Sequence, residues 1–287
     1  ALFVRALRMM GAKAEPFVPH RLVDGYDLSD AGVQKAVELG ATLILTGDCG
    51  IVAHEAVRRA RAAGIDVVVT DHHRPGPTLP DAAAVVNPNR ADCGYPDKGL
   101  AGVGVAWKVC CALAEETGFP RERLQSFQDL VAVATIADLA PLRGENRALV
   151  RWGLKVLRDT PNPGLRALLR VTGLADRGEI TANQVGFVLA PRINAVGRMG
   201  EALRGVRLLL TNDPREAERI AETLEAENRW RQSVDGETLR DALRMLEQGF
   251  DPARDRGVVL ATINGPDGAR KSARAGSCAS CAIGSGS

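Results

Sequence analysis

Two histidines and an aspartate follow an apolar run in this sequence, in the order Asp71-His72-His73. The run at 67–69 consists of valines, which are β-branched and predict a buried strand. A carboxylate beside two imidazoles offers oxygen and nitrogen ligands for a divalent metal ion, and such a site can also hold a phosphate. A surface turn that happens to contain two histidines is the alternative, so the tripeptide by itself only indicates a metal site.

A second acid is predicted to lie beside this tripeptide. Apolar residues at 41–46 predict a strand that ends just before Asp48, and a helix predicted at 51–63 leads to the next strand at 65–70. Together they form a βαβ unit, whose right-handed crossover places the carboxyl ends of both strands at one edge of the sheet. We therefore expect Asp48, Asp71 and the two histidines to converge there.

A third acid, Asp138, follows a segment at 124–137 that is apolar nearly all round and predicts a buried helix. A carboxylate in that position needs a partner, which is either a metal ion or an arginine. The other predicted elements are helices at 1–10, 30–39, 102–116, 145–159, 164–171, 182–189 and 214–248, and strands at 14–19, 83–87 and 257–263.

This pattern predicts an α/β fold with a doubly wound, mostly parallel sheet, followed by helices and a long connector helix. We predict three parts: a catalytic core at 1–205, the connector helix at 206–250, and the start of a second domain with a low-complexity tail at 251–287.

A segment at 190–200 is predicted to be irregular and carries Arg192, Asn194 and Arg198 among glycines that allow a ligand close to the backbone. These side chains could hold an anionic substrate. The alternative is a structural loop whose arginines pair with nearby acids.

The composition excludes several classes of protein. The 287 residues are 45% apolar, which is ample for a core, and the net charge of +2 does not indicate a polyanion partner without a local basic groove. No apolar run approaches the roughly 20 residues of a membrane span and no signal peptide opens the chain, so we expect a soluble, cytoplasmic protein. Cys110 and Cys111 are predicted to be buried free thiols, whereas the pair Cys278 and Cys281 lacks further zinc ligands.

Five motifs of this sequence occur in the order seen in the DHH phosphoesterases, and they most resemble the RecJ family of single-strand-specific DNA exonucleases. The resemblance runs from about residue 1 to residue 250. The motifs are Thr46-Gly47-Asp48-Cys49-Gly50, Thr70-Asp71-His72-His73, Asn87-Pro88 with Leu100-Ala101-Gly102-Val103-Gly104-Val105-Ala106, Ala137-Asp138-Leu139-Ala140-Pro141-Leu142, and Arg192-Ile193-Asn194-Ala195-Val196-Gly197-Arg198-Met199-Gly200.

The resemblance implies a 5′-to-3′ exonuclease that hydrolyses single-stranded DNA in DNA repair and recombination, with two Mn²⁺ or Mg²⁺ ions. It implies that Asp48, His72 and Asp138 are metal ligands, with Asp48 bridging the two ions. It further implies that His73 contacts the scissile phosphate and that Asp71 orients the neighbouring imidazole.

The resemblance also implies a substrate-binding set and a set of partners. Arg192, Asn194 and Arg198 would hold the substrate, Arg21 would bind the DNA 5′ phosphate, and Tyr26 could stack on a base. The implied partners are single-stranded DNA, a single-strand-binding protein and a RecQ-type helicase, and we expect a monomer.

The sequence departs from the family pattern in two places. The family's Asp-x-Asp motif should precede the helix that opens at Ala1, and its glycine- and histidine-rich second domain should follow the connector helix. We therefore expect an incomplete metal site and weak or absent activity. The alternatives are another DHH phosphoesterase that acts on short oligonucleotides, cyclic dinucleotides or pyrophosphate, and a non-catalytic DNA-binding module.

Overall fold

The computed structural model of the chain describes residues 1–19, 27–198 and 202–249. It divides into two compact units, Ala1–Glu227 and Asn228–Ser287. The expected strand at 257–263, the expected tail, and Arg21, Tyr26, Cys278 and Cys281 all lie outside the described residues. The predicted division at residues 205 and 250 stays a prediction.

The sheet has three parallel strands, β1 (Leu43–Leu45), β2 (Asp66–Thr70) and β3 (Ala84–Val86), in the order β1-β2-β3. Val67 and Val69 on β2 are fully buried, as the valine run predicts. An α/β class with a parallel sheet is therefore confirmed. Two helices pack on the sheet through small and β-branched side chains, α2 (Asp30–Glu38) and α3 (His54–Ala62).

Helices make up the rest of the regular structure in the described chain. They are α1 (Leu2–Met9), α4 (Gly102–Glu116), a 3₁₀ helix (Arg121–Phe127), α5 (Gln128–Ala137), α6 (Gly144–Arg158), α7 (Pro163–Val171), α8 (Ala182–Gln184), a π-helix (Val185–Leu189), α9 (Ala190–Arg198), α10 (Ala202–Leu210) and α11 (Pro214–Gly249). The expected helix at 124–137 is thus split where the 3₁₀ helix meets α5. No helix among the described residues is long and apolar enough to cross a membrane.

Helices α5 and α6 lie against each other at close range. A side-chain carbon on Gly153 of α6 would lie 2.2 Å from the Gln128 carbonyl oxygen and 2.6 Å from the Ala132 side chain. Only a glycine therefore allows this approach. The first half of α5 is thereby packed closely against α6, and the helix then leads to Asp138.

Two expectations about secondary structure are wrong. The segment 14–19 has no regular structure, and the segment expected to be an irregular loop at 190–200 is helical as far as Arg198. The glycines and Pro191 suggested a loop, but Leu189 and Ala190 are buried and their packing outweighs local propensity. The wider π-helical turn directly before α9 also accommodates a proline, which has no N–H to donate.

Candidate metal centre

Asp48 lies directly after β1 in a conformation that few non-glycine residues adopt. Its φ is +67°, and its backbone N–H donates to the Thr70 carbonyl of β2 at 3.0 Å. A side-chain carbon on Gly102, at the start of α4, would lie 2.2 Å from Asp48 Oδ1. The left-handed backbone and the bare glycine together direct this carboxylate towards the end of β2. Strained positions of this kind cluster at functional sites.

Asp71 follows β2 and is only 1% exposed. Its Oδ1 accepts the backbone N–H groups of His72 at 2.7 Å and His73 at 3.1 Å, and lies 2.7 Å from His73 Nδ1. Its Oδ2 accepts the Ile51 N–H at 3.1 Å. Asp71 therefore fixes the histidine backbone and holds the His73 ring.

The two imidazoles stand edge to face, with ring centroids 4.6 Å apart. His72 Nε2 lies 3.0 Å from Asp48 Oδ1 and 3.5 Å from Asp138 Oδ2. This nitrogen is buried, and within the described residues neither carboxylate is aligned with it for a hydrogen bond of ordinary geometry. One ligand atom from each of Asp48, His72 and His73 lies within 4.8 Å of the others. The convergence expected from the βαβ unit is present in the structure.

Asp138 reaches the same point from the end of α5, where it is the C-cap residue. The next residue, Leu139, has a φ of +56° and is exposed, so the chain turns sharply away after the acid. Burial raises the pKa of Asp138, and Asp48 adds to this, whereas His72 opposes it. The close Asp48 carboxylate raises the pKa of His72, against the effect of burial, and Asp138 adds to the increase.

These contacts fit a divalent cation. A buried imidazole nitrogen without a hydrogen-bond partner faces two carboxylates, and carboxylate oxygen with imidazole nitrogen is a donor set typical of Mn²⁺ and related ions. A cation there would satisfy the nitrogen and offset the repulsion between Asp48 and Asp138. The residues present therefore suit the ion that the pattern of acids and histidines predicts.

Three asparagines support the centre, and the sequence alone did not assign them a role. Asn87 Nδ2 donates to the His73 carbonyl at 2.9 Å, and Asn89 Nδ2 donates to the His72 carbonyl at 2.6 Å. Asn146, which is buried on α6, accepts the Ala101 N–H at 3.1 Å and donates to the Gly99 and Pro141 carbonyls. A polar residue among the inward positions of a helix was the signal that could have identified Asn146.

A cavity of about 870 Å³ opens at the centre. It is lined by Asp48, Asp71, His73, Asp138 and Asn194, together with apolar side chains of α4, α5 and α9. Of the residues predicted to hold substrate, Asn194 is thus beside the metal centre and exposed.

The other predicted substrate residues lie elsewhere or outside the described part. Arg192 is 13% exposed; its guanidinium pairs with Glu225 and donates to the Val188 carbonyl at 2.6 Å. Arg198 is the last residue of α9, and its side chain is outside the described part, as are Arg21 and Tyr26. The alternative in which arginines of this segment pair with acids therefore holds for Arg192.

Residues 1–135 match the family model described as "DHH family, N-terminal domain". They form a DHH domain. Asp48, after β1, and Asp71-His72-His73, after β2, lie within this matched region. They are the residues through which the sequence resembles the family.

Curated relatives extend this similarity beyond the DHH domain. The single-stranded-DNA-specific exonuclease RecJ of Dickeya dadantii (strain 3937) is 44% identical over 266 residues, covering 89% of this chain and 46% of the relative. RecJ of Bacillus subtilis (strain 168) is 42% identical over 252 residues, covering 88% of this chain and 31% of the relative. The chain therefore spans about half the length of these relatives or less.

Solved structures agree with this assignment. A crystal structure of exonuclease RecJ bound to manganese matches with a TM-score of 0.77 at 41% identity, over 88% of this chain and 62% of that chain. RecJ from Thermus thermophilus in complex with Mn²⁺ matches with a TM-score of 0.73 at 38% identity, over 88% of this chain and 36% of that chain. The DHH domain and the helices after it thus share the RecJ fold.

Proposed function

We propose that this chain contributes the metal-binding core of an enzyme that hydrolyses phosphodiester bonds of single-stranded DNA from the 5′ end. The observation that carries the proposal is the buried His72 Nε2, which lies 3.0 Å from Asp48 Oδ1 and 3.5 Å from Asp138 Oδ2, so that two carboxylates and an imidazole converge on one point. The similarity to single-stranded-DNA-specific exonucleases supports the choice of substrate.

Asp48, His72 and Asp138 would hold Mn²⁺ or Mg²⁺. When bound, such ions make a coordinated water more acidic and offset negative charge on the phosphoryl group. The carboxylates also favour a cation over an anion at the centre itself. The scissile phosphate would therefore approach from the cavity side, where His73 and Asn194 lie.

His73 can act on the substrate because Asp71 fixes its ring and its tautomer. The carboxylate 2.7 Å from Nδ1 accepts a hydrogen bond from that nitrogen, which leaves Nε2 as the second functional atom of the ring. The His73 side chain is 59% exposed at the cavity. It would donate a hydrogen bond to a phosphoryl oxygen or take up a proton there. Asp71 itself stays buried and acts through His73 as a positioning residue.

The substrate would be held by Asn194 at the cavity and by Arg192, Arg198, Arg21 and Tyr26. Arg192 would bind a phosphate of the substrate only after its ion pair with Glu225 is broken. A single-strand-binding protein and a RecQ-type helicase are the proposed partners of a monomeric cytoplasmic enzyme. The similarity to the RecJ family supports these proposed partners.

The decisive experiment is digestion of a 5′-labelled single-stranded oligonucleotide with Mn²⁺, with His72→Ala as the test variant. We expect any release of mononucleotides by the parent chain to be weak and to fall by at least about 100-fold in the variant, because a ligand has been removed. Arg177→Gln, an exposed change outside the centre, is the control.

Two outcomes would contradict the proposal. Equal activity in parent and His72→Ala would place the reaction elsewhere or in a contaminant. Faster hydrolysis of dinucleotides or pyrophosphate than of long strands would assign the chain to another kind of DHH phosphoesterase.

A further inference from the structure

Helix α6 carries a line of cations on its exposed face. Arg143 is the N-cap residue, and Arg147, Arg151 and Lys155 follow at intervals of four residues, all of them exposed. Residues four apart lie on the same side of a helix, and four residues advance about 6 Å along its axis. Arg147, Arg151 and Lys155 therefore form a row that winds gradually round the helix, with Arg143 before its first turn. We call these four residues the α6 cation row.

The α6 cation row is not neutralised by nearby acids. Glu145, the acid of α6, pairs with Lys108 and accepts the Tyr95 hydroxyl. Asp97 accepts the Glu145 N–H at 2.9 Å and thus satisfies a free backbone donor in the first turn of α6. Among the described residues, Arg143, Arg147 and Arg151 have no acidic partner within ion-pair distance. The row is thus the local basic surface that the overall charge of +2 does not provide.

An exposed tryptophan lies in the row. Trp152 is 52% exposed, and the Lys155 ammonium lies 5.7 Å from the centroid of its ring. Trp107, by contrast, is buried in the core. A flat aromatic face among cations is the combination that single-stranded nucleic acids recognise, because a base stacks on the ring while phosphates contact the cations.

The first turn of α6, where the row begins, is hydrogen-bonded to loops that lead to the metal centre. Arg143 lies five positions after Asp138 in the sequence. Asn146, on the first turn of α6, bonds to the loop at 99–101 and to Pro141. That loop leads directly to Gly102, which touches Asp48. The start of α6 is therefore tied to both segments that supply carboxylates to the centre.

We propose that the α6 cation row and Trp152 bind a single-stranded DNA segment outside the metal centre, with phosphates on the arginines and a base on the indole. This inference rests on the proposed function for its ligand. An acidic protein segment would match the charges, but it would not use the exposed ring. The even spacing also suits a polymer that carries one charge per repeat.

The experiment measures binding by fluorescence anisotropy in EDTA, so that no hydrolysis occurs. The probes are labelled oligothymidylates of about 20 and about 4 nucleotides. The test variant is Arg147→Gln/Arg151→Gln/Lys155→Gln. The matched control removes three exposed cations from other elements, Lys13→Gln/Arg177→Gln/Arg215→Gln.

We expect the test variant to bind the long probe at least about 10-fold more weakly at low salt, and the control variant to lose less than about 3-fold. The slope of log affinity against log salt should fall by about 2 in the test variant, since each lost phosphate contact contributes about 0.7. The row is about as long as four extended nucleotides, so the short probe should also bind the test variant more weakly than the control variant. Equal losses in test and control variants would overturn the proposal.

Trp152→Leu separates stacking from charge. We expect about 5-fold or greater loss of affinity for the long probe without a change in the salt slope, because no cation is removed. Tighter binding of a polyglutamate competitor than of the long probe, lost in the test variant, would assign the row to an acidic protein partner instead. The assay needs no catalysis, so a chain that binds DNA through the row but hydrolyses none would contradict the proposed function and not this inference.

Discussion

Asp71 and Asp129 are two aspartates with the same burial, each 1% exposed, but they lie in different surroundings. Asp71 lies at the end of β2, where three backbone N–H groups and the His73 ring surround its oxygens. Asp129 lies on the first turn of α5 and has two donors, the Leu130 N–H at 2.6 Å and the Thr160 hydroxyl at 2.5 Å.

The difference shows how the fold uses a buried charge. At Asp71 the donors come from the end of β2 and an adjoining loop, and the carboxylate that they hold in place orients a neighbouring imidazole. At Asp129, burial raises the pKa, and the Thr160 hydroxyl, the Leu130 N–H and Arg5 only partly oppose it. Asp71 belongs to the edge of the sheet that forms the candidate metal centre. Asp129 ties α5 to the segment before α7 through Thr160.

The same substitution at both positions tests this contrast most strongly. Asp71→Asn removes the charge that holds His73 and should lower Mn²⁺ affinity by about 10- to 100-fold, as loss of an outer-shell partner typically does. Asp129→Asn is the matched control and should leave Mn²⁺ affinity unchanged. Isothermal titration calorimetry measures both. Equal effects on Mn²⁺ affinity would mean that Asp71 acts only through stability.

A pair of glycines gives a second and smaller test. Gly102→Ala places a methyl group 2.2 Å from Asp48 Oδ1, so it should weaken Mn²⁺ binding by displacing the carboxylate. Gly153→Ala places one 2.2 Å from the Gln128 carbonyl between α5 and α6, so it should lower the free energy of unfolding by about 1–3 kcal/mol.

Urea unfolding and Mn²⁺ titration of both variants separate the two effects. The predicted difference between the two glycines is wrong if Gly153→Ala lowers Mn²⁺ affinity more than Gly102→Ala does. It is also wrong if Gly102→Ala leaves Mn²⁺ affinity unchanged.

The sequence alone was sufficient to predict which residues meet at the edge of the sheet. A run of valines and the handedness of a βαβ unit place Asp48 beside Asp71 without any knowledge of distant contacts. Each acid follows its strand closely in the sequence, so local patterns are enough to place it at the end of that strand. The buried free thiols, Cys110 and Cys111, followed from the apolar period of α4 in the same way.

The sequence was insufficient wherever packing between distant segments decides the outcome. Pro191 and its glycine neighbours predicted a loop, but the burial of Leu189 and Ala190 makes a helix. The link from Asn146 to Ala101 spans 45 positions, and no local pattern predicts it. The approach of Asp138 to His72 likewise depends on how α5 packs, so the residues alone left its partner open between a metal and an arginine.

The smallest predicted effect concerns Asp129 and pH. Because its pKa in the folded chain is raised above the ordinary value of 3.8, the folded state binds this proton more tightly than the unfolded state does. The stability that the group contributes is therefore present below about pH 3.8 and is lost as pH rises through the folded pKa. Asp129→Asn removes this titration, so the variant should gain stability relative to the parent as pH rises from about 4 to about 7. Urea unfolding at several pH values measures the difference. A difference that falls with pH would mean that burial does not raise the pKa of Asp129, and the two acids would then differ only in the groups that each one holds in place.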